Sequence, residues 1–346
     1  MNKFWNKLKY RPELTKSGKK LFFSVIYSIL VFYYLWCIPA VYFLNLPWEW
    51  LRILLTSAFV IVIPILTILS RKDKRYLWGV AGICLFFGVW FSMLPASNNR
   101  DWTPDVARIP IVRIVGDKVI IKNIRNFTYK TDKEYKISYY NGIYDLNDIT
   151  GADYILSYWD GNTLVAHSMF SFAFKDGRHI AVSVETRREK GEPQTGLRGL
   201  YNQYELIYIL ADESDLFLLR TNYRKEDVYL FPLKPKRPEN IKKVFLEIMG
   251  QIMKLEKQPV FYNTLKDNCF TTLLYDVRNV TGNPPIWDYR VIFNGLSDQM
   301  GYERGWFKTE GLTFSEFKKK HHINQYVQDD PEAKKNFSKK IRNIKE

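Results

Sequence analysis

The chain has 346 residues and a formal net charge of +15, room for one large or two modest domains. Its mean hydropathy of −0.25 averages two unlike parts: residues 21–94 hold three almost uncharged blocks, while residues 97–346 read as a polar, aromatic-rich globular chain. The basic balance comes without an arginine-rich stripe or a nucleic-acid motif, so it is read as membrane topology plus affinity for anionic head groups, with no nucleic-acid partner.

Residues 1–20 are a basic arm carrying Lys3, Lys7, Lys9, Arg11, Lys16, Lys19 and Lys20. The first apolar block, residues 21–44, is too long for a signal-peptide core, and no A-x-A site follows it. It is expected to be a retained transmembrane helix. The second block, residues 51–69, has Arg52 at its start and a mild break at Pro64; the third covers residues 77–94. Each can cross roughly 30 Å of hydrocarbon at ~1.5 Å per residue. Trp48, Trp50, Tyr76, Trp78 and Trp90 fall near the expected interfaces, as an aromatic belt would. Basic residues crowd the arm and the loop Arg71-Lys72-Asp73-Lys74-Arg75, whereas residues 45–50 contain none. The N-terminus and second loop are therefore expected in the cytoplasm, and everything after Leu94 on the far side. Cys37 and Cys84 are read at depths ~12 Å apart, too far for a disulfide.

Residues 95–110 are expected to be a polar linker and residues 111–316 the exported domain. The runs 111–115 and 118–122, joined by Gly116-Asp117, read as a hairpin. Residues 126–140, 144–146 and 153–159 continue the β pattern. A central hairpin runs over 164–174 and 178–185 through Lys175-Asp176-Gly177, with Gly177 left-handed. That register sets Phe174 opposite Arg178 and His167 opposite Glu185. His167, Met169 and Ser171 then share a face with His179, Ala181, Ser183 and Glu185. A short helix is expected near 199–203, followed by β-like runs at 204–210 and 216–219, a polar turn at 220–224 and a strand at 228–231. Residues 232–238, with three prolines, read as a connector. Ile241, Val244, Phe245, Ile248, Ile252 and Leu255 mark an amphipathic helix. The lysine-rich tail, residues 317–346 with His321-His322, is expected to be a surface helix or frayed.

The stretch Asp267-Asn268-Cys269-Phe270-Thr271-Thr272-Leu273-Leu274 carries the chemistry. Asp267 or Asn268 is a good N-cap, which puts Cys269 in a first helical turn. Peptide N–H groups there lower a thiol's pKa and can hold an oxyanion. Cys269 is the one cysteine of the exported part; export compartments favour paired cysteines, so a solitary thiol is flagged as reactive. A thiol nucleophile needs a base and an orienting group. His321 and His322 sit in the charged tail, and His179 stands beside a turn, so His167 is the expected base. Glu185 is the first choice to orient it, with Ser183 and His179 as alternatives. No metal-ligand spacing, glycine-rich phosphate loop or G-x-S-x-G elbow occurs, and no cofactor is expected.

Several segments in succession then resemble one family. They are His167-Ser168-Met169-Phe170-Ser171-Phe172-Ala173-Phe174, Ser183-Val184-Glu185-Thr186-Arg187-Arg188-Glu189, Gln203-Tyr204-Glu205-Leu206-Ile207-Tyr208, Ala211-Asp212-Glu213 with Asp215, Arg220-Thr221-Asn222-Tyr223-Arg224, and Asn268-Cys269 with Thr271-Thr272. Their order and spacing resemble the Lnb N-terminal periplasmic domain family of bacterial membrane proteins, over roughly residues 139–275. Phe270 departs from the family's Asn-Cys-Thr-Thr. The resemblance implies an α+β protein: three inner-membrane helices, then a papain-like, permuted NlpC/P60-type periplasmic domain with an antiparallel sheet and a cysteine-bearing helix. It implies Cys269 as nucleophile and His167 as base, in a cysteine acyltransferase acting on phospholipid and a diacylglyceryl lipoprotein. Arg187, Arg220 and Arg224 fit either a head-group phosphate site or structural ion pairs, and Asn268 is a further candidate for substrate contact. An envelope amidase or peptidase, or a non-catalytic scaffold, are the alternatives on the same fold.

Overall fold

The computed structural model describes residues 15–44, 46, 48–283, 287–328, 330 and 332–343. Lys3, Lys7, Lys9 and Arg11 of the basic arm lie outside the described residues. The chain splits into two compact units, Met1–Pro95 and Ala96–Glu346.

The first unit holds α1 (Lys16–Tyr42), α2 (Glu49–Leu69) and α3 (Arg75–Ser92), each long and apolar enough to cross a membrane. Thr15 caps α1 by accepting the N–H of Gly18. Ile63, Val80 and Cys84 pack together inside against Leu30, Tyr34 and Phe59, while Phe32, Leu85 and Phe86 point outward. That distribution suits an apolar solvent and would be costly in water. Cys37 and Cys84 are both free, yet their thiols are in hydrogen-bond contact, which corrects the expected separation. Helix α1 extends past its apolar block on the basic side; counted back from Tyr42 and Ser92, the two levels differ by only about 5 Å.

The second unit is built on one sheet. Its strands are β1 (Ile111–Val115), β2 (Lys118–Arg125), β5 (Tyr139–Asp145), β6 (Ile149–Tyr158), β7 (His167–Phe174), β8 (His179–Arg187), β9 (Glu205–Ala211) and β10 (Asp227–Pro232); β3 (Thr128–Tyr129) and β4 (Tyr135–Lys136) form a separate ribbon. The order is β1-β2-β9-β8-β7-β6-β10, with β5 also pairing β2. Every pairing is antiparallel except one parallel contact, Arg125 with Ala211. The hairpin of β7 and β8 has the expected register: Met169 faces Ser183 and Ala173 faces His179, and Gly177 takes the positive φ of +83° that the tight turn requires.

Because side chains alternate along a strand, the two sheet faces receive different helices. Phe170, Phe172, Val182 and Val184 lie under α5 (Glu239–Lys257) and α6 (Cys269–Thr281). Met169, Ala181, Ile207 and Ile209 lie under α4 (Glu213–Leu218) and the C-terminal segment. The predicted stripe of α5 is the buried one, with Val244, Phe245, Ile248 and Ile252 all inside.

Three expectations are corrected. Residues 216–219 belong to α4 and the π turn after it, Leu219–Tyr223, rather than to a strand. All four side chains of Leu216, Phe217, Leu218 and Leu219 are buried, and a run apolar on all sides has no period to read; Glu213 and Asp215 in the first turn are the helix signal. Residues 96–110 are no free spacer, since Trp102 and Val106 are buried and Trp102 bridges Glu189. The tail is docked: after α7 (Ser297–Glu303), the elements α8 (Phe314–Lys320), α9 (Asn324–Val327) and α10 (Phe337–Lys340) bury Phe317, Ile323, Val327, Phe337 and Ile341. His321 packs on the Phe317 ring at 4.5 Å and His322 stacks on Tyr229 at 4.8 Å, so neither is simply solvated.

Arg342 closes this docking, with Nη2 2.6 Å from both Asp153 and Glu213. Glu213 and Asp153 are buried, and truncating one partner of a buried ion cluster strands the other charges. Arg342→Ala is expected to lower unfolding free energy by about 3 kcal/mol, read as a fall in the melting midpoint of the second unit within the full chain; an unchanged midpoint would mean a tail that merely rests on the surface.

Candidate active site

Asn268 ends an extended segment and begins α6. Its side-chain oxygen accepts the N–H groups of Phe270 and Thr271, both at 2.9 Å, and Thr271 Oγ1 accepts the Asn268 N–H at 2.9 Å, a reciprocal capping box. Its amide nitrogen donates to Thr264 O at 2.8 Å. Such a cap is worth about 1 kcal/mol, and it fixes Cys269 as the first residue of the helix. Asn268 thus positions Cys269, and both ends of its side-chain amide are engaged within the chain.

The Cys269 thiol is buried where α6 meets β7. It hydrogen-bonds the His167 imidazole and receives the backbone N–H of Ser168. His167 Nε2 lies 2.7 Å from Ser183 Oγ and 3.0 Å from Glu185 Oε1, and Ser183 donates to the same carboxylate oxygen at 2.7 Å. With Nε2 engaged by that pair, Nδ1 is the nitrogen left for the thiol. Glu185 and Ser183 therefore both hold the ring, and the third alternative falls: His179 bonds Gly177 O at 3.1 Å, away from the site.

Burial alone would favour uncharged groups, but the ion pairs outweigh it. His167 is disfavoured as a cation by desolvation, yet the Glu185 carboxylate raises its pKa to about 9. Glu185, opposed by desolvation, is held well below the usual carboxylate range by His167 and Arg220. Desolvation likewise pushes the Cys269 thiol up, and His167 brings it below its ordinary value. The direction is that of a thiolate–imidazolium pair at neutral pH.

Arg220 Nη2 is 3.1 Å from Glu185 and its Nη1 3.2 Å from Glu226; Arg224 Nη1 lies 3.8 Å from Glu226. Arg187 donates to Val106 O, Asn98 Oδ1 and Ala107 O at 2.8 to 3.0 Å and stacks on Trp102. Of the two readings open for the arginines, the geometry favours structural ion pairs for Arg220, with Arg224 beside the same cluster. Arg187 ties down residues 98–107 and is not brought to the thiol.

Two residues of the site escape a sequence reading. Asn294 Nδ2 lies 2.7 Å from Ala166 O and 3.9 Å from Cys269 Sγ, and its Oδ1 accepts the Ala166 N–H at 3.1 Å. It clips the backbone beside His167 to the thiol across 128 residues of chain. Gly295 permits this approach, because a Cβ there would meet Thr163 O at 2.3 Å. Tyr262 sets its hydroxyl against the backbone N–H of Cys269, a donor that an oxyanion would use. A Phe-Asn-Gly turn and one tyrosine among many carry no periodic signal; only the fold singles them out.

Glu185→Gln removes the charge that keeps His167 protonated below about pH 9. The thiol then loses its cationic neighbour and its pKa rises, the direct repulsion of Glu185 on the thiolate being the weaker effect. Alkylation of Cys269 by iodoacetamide at pH 6.5 is expected to slow about tenfold, the equivalent of one pKa unit, and to recover towards pH 9; identical pH profiles for the two proteins would rule out the ion pair.

No curated protein and no solved structure matches the chain. Residues 135–295 match the sequence model of the Lnb N-terminal periplasmic domain family, a segment that runs from β4 to Gly295 and contains His167, Ser183, Glu185, Cys269 and Asn294. With its three membrane-length helices and this match, the chain is a membrane protein with a periplasmic domain similar to the Lnb N-terminal family.

Proposed function

We propose that this protein is a cysteine acyltransferase of the bacterial inner membrane, with the N-terminus cytoplasmic and the Cys269 domain periplasmic. The observation that carries the reading is the buried Cys269 thiol at a helix N-terminus, hydrogen-bonded to an imidazole that Glu185 and Ser183 hold from behind. The thiolate attacks the carbonyl carbon of a phospholipid ester, and a C–S bond forms. The tetrahedral oxyanion is held by the backbone N–H of Cys269, the one N–H of this turn that the Asn268 cap leaves open, and by the Tyr262 hydroxyl beside it. The ester C–O bond breaks, and the His167 imidazolium delivers its proton to the departing alkoxide, which leaves as a lysophospholipid. An amine then attacks the thioester, His167 takes its proton, and the thiolate is restored. The acceptor proposed is the N-terminal amine of a diacylglyceryl lipoprotein. The family match and the membrane helices support a lipid substrate; the thiol–imidazole pair by itself would serve any acyl transfer.

The test is intact mass after incubation with phospholipid vesicles. An acyl adduct that neutral hydroxylamine removes, and that Cys269→Ala never forms, is the expected result. A native Cys269 with no adduct and no reaction with iodoacetamide would point to a scaffold instead.

A further inference from the structure

Three separated segments build the site, and each carries large apolar side chains that the fold leaves in solvent. Leu164 stands three residues before His167, Leu265 four residues before Cys269, and Ile292 and Phe293 directly before Asn294. The segments meet through named contacts: Gly295 N donates to Leu164 O at 2.9 Å, Asn294 grips Ala166, and Cys269 Sγ lies 3.9 Å from both Ala166 O and Asn294 Nδ2. Tyr289 and Trp287 extend the third segment, and Trp287 is 94% exposed. Single exposed apolar residues are ordinary. A cluster that recurs on all three strands of chain around one nucleophile is not, and it marks an interaction surface.

The occupant follows from what the chain itself provides. The exported unit begins at Ala96, directly after a membrane-length helix that ends at Ser92, so a bilayer is the apolar medium always at hand. Tryptophan and tyrosine are the residue types that settle at a bilayer interface, and Lys266, exposed beside Leu265, suits its phosphates. We infer that the rim formed by Leu164, Leu265, Trp287, Tyr289, Ile292 and Phe293 inserts into the outer leaflet of the membrane that the chain spans, opening the Cys269 site onto lipid. The inference rests on the acyltransferase reading for its purpose, and on the exposed rim for its geometry. An acyl ester then passes from leaflet to thiol without crossing water.

The experiment uses the full chain in vesicles of phosphatidylethanolamine and phosphatidylglycerol that contain a phospholipid with a diazirine in mid-acyl chain. After irradiation, labelled peptides are mapped by mass spectrometry. The rim peptides around 287–293, 164–165 and 265 are expected to carry at least tenfold more label than the exposed peptide 130–134 of the same unit. The double variant Ile292→Asp, Phe293→Asp is expected to reduce rim labelling about tenfold while labelling of residues 16–92 stays constant. Both positions are solvent-facing, and a retained melting midpoint checks the fold. Rim labelling no greater than that of 130–134 overturns the inference, as does a rim found buried against a second copy or another protein. A Cys269 thioester with an unlabelled rim keeps the enzyme and removes the docking; a labelled rim without any thioester does the reverse.

Discussion

The constraint behind this candidate site is the placement of charge where water is scarce. A thiolate and an imidazolium side by side cost several kcal/mol each to desolvate, and they persist only if every remaining proton and lone pair is met. Here the Ser168 N–H and Asn294 Nδ2 face the sulfur, Ser183 and Glu185 meet Nε2, and Arg220, itself paired with Glu226, meets the Glu185 carboxylate in turn. The row alternates in sign from the thiol outward, so no member is left as a lone buried charge. Arg220, which a substrate-centred reading would send to a phosphate, is needed inside this row.

The row exists because of one register. His167 and Glu185 lie on adjacent antiparallel strands and on the same face, and a slip of one residue would send both to the opposite layer. The register is fixed by the short turn at Gly177 and by the burial of both faces: Phe170 and Phe172 can only go beneath α5 and α6, and Met169 only beneath α4 and the tail. The geometry of the candidate site and the packing of the core are thus two results of one alternation.

That alternation is also why so much was legible. The membrane helices, the hairpins at Gly116 and Gly177, the stripe of α5, the cap at Asn268 and the pairing of His167 with Glu185 all rest on local chemistry or short-range period. What stayed hidden lacks a period. Residues 216–219 are buried on every side, so helix and strand look alike there. The lysines of the tail mask the apolar residues Phe337 and Ile341, which are spaced one helical turn apart. Asn294 meets Ala166 only because the chain folds back, and no local pattern announces a contact of that reach. Which levels of α1 and α3 face each other is likewise set by tertiary packing, which the bounds of the apolar blocks do not mark, and this is what brings Cys37 to Cys84.

The latch at Arg342 has a consequence for the order in which the molecule is made. Its partner Asp153 lies 189 residues earlier, and Glu213, 129 residues earlier, waits as well. During synthesis those carboxylates must stay hydrated until Arg342 has emerged. Maturation of the sheet is therefore tied to synthesis through Arg342: a product cut before that residue would carry every residue of the charge row and still lack the latch that holds the cover on its sheet.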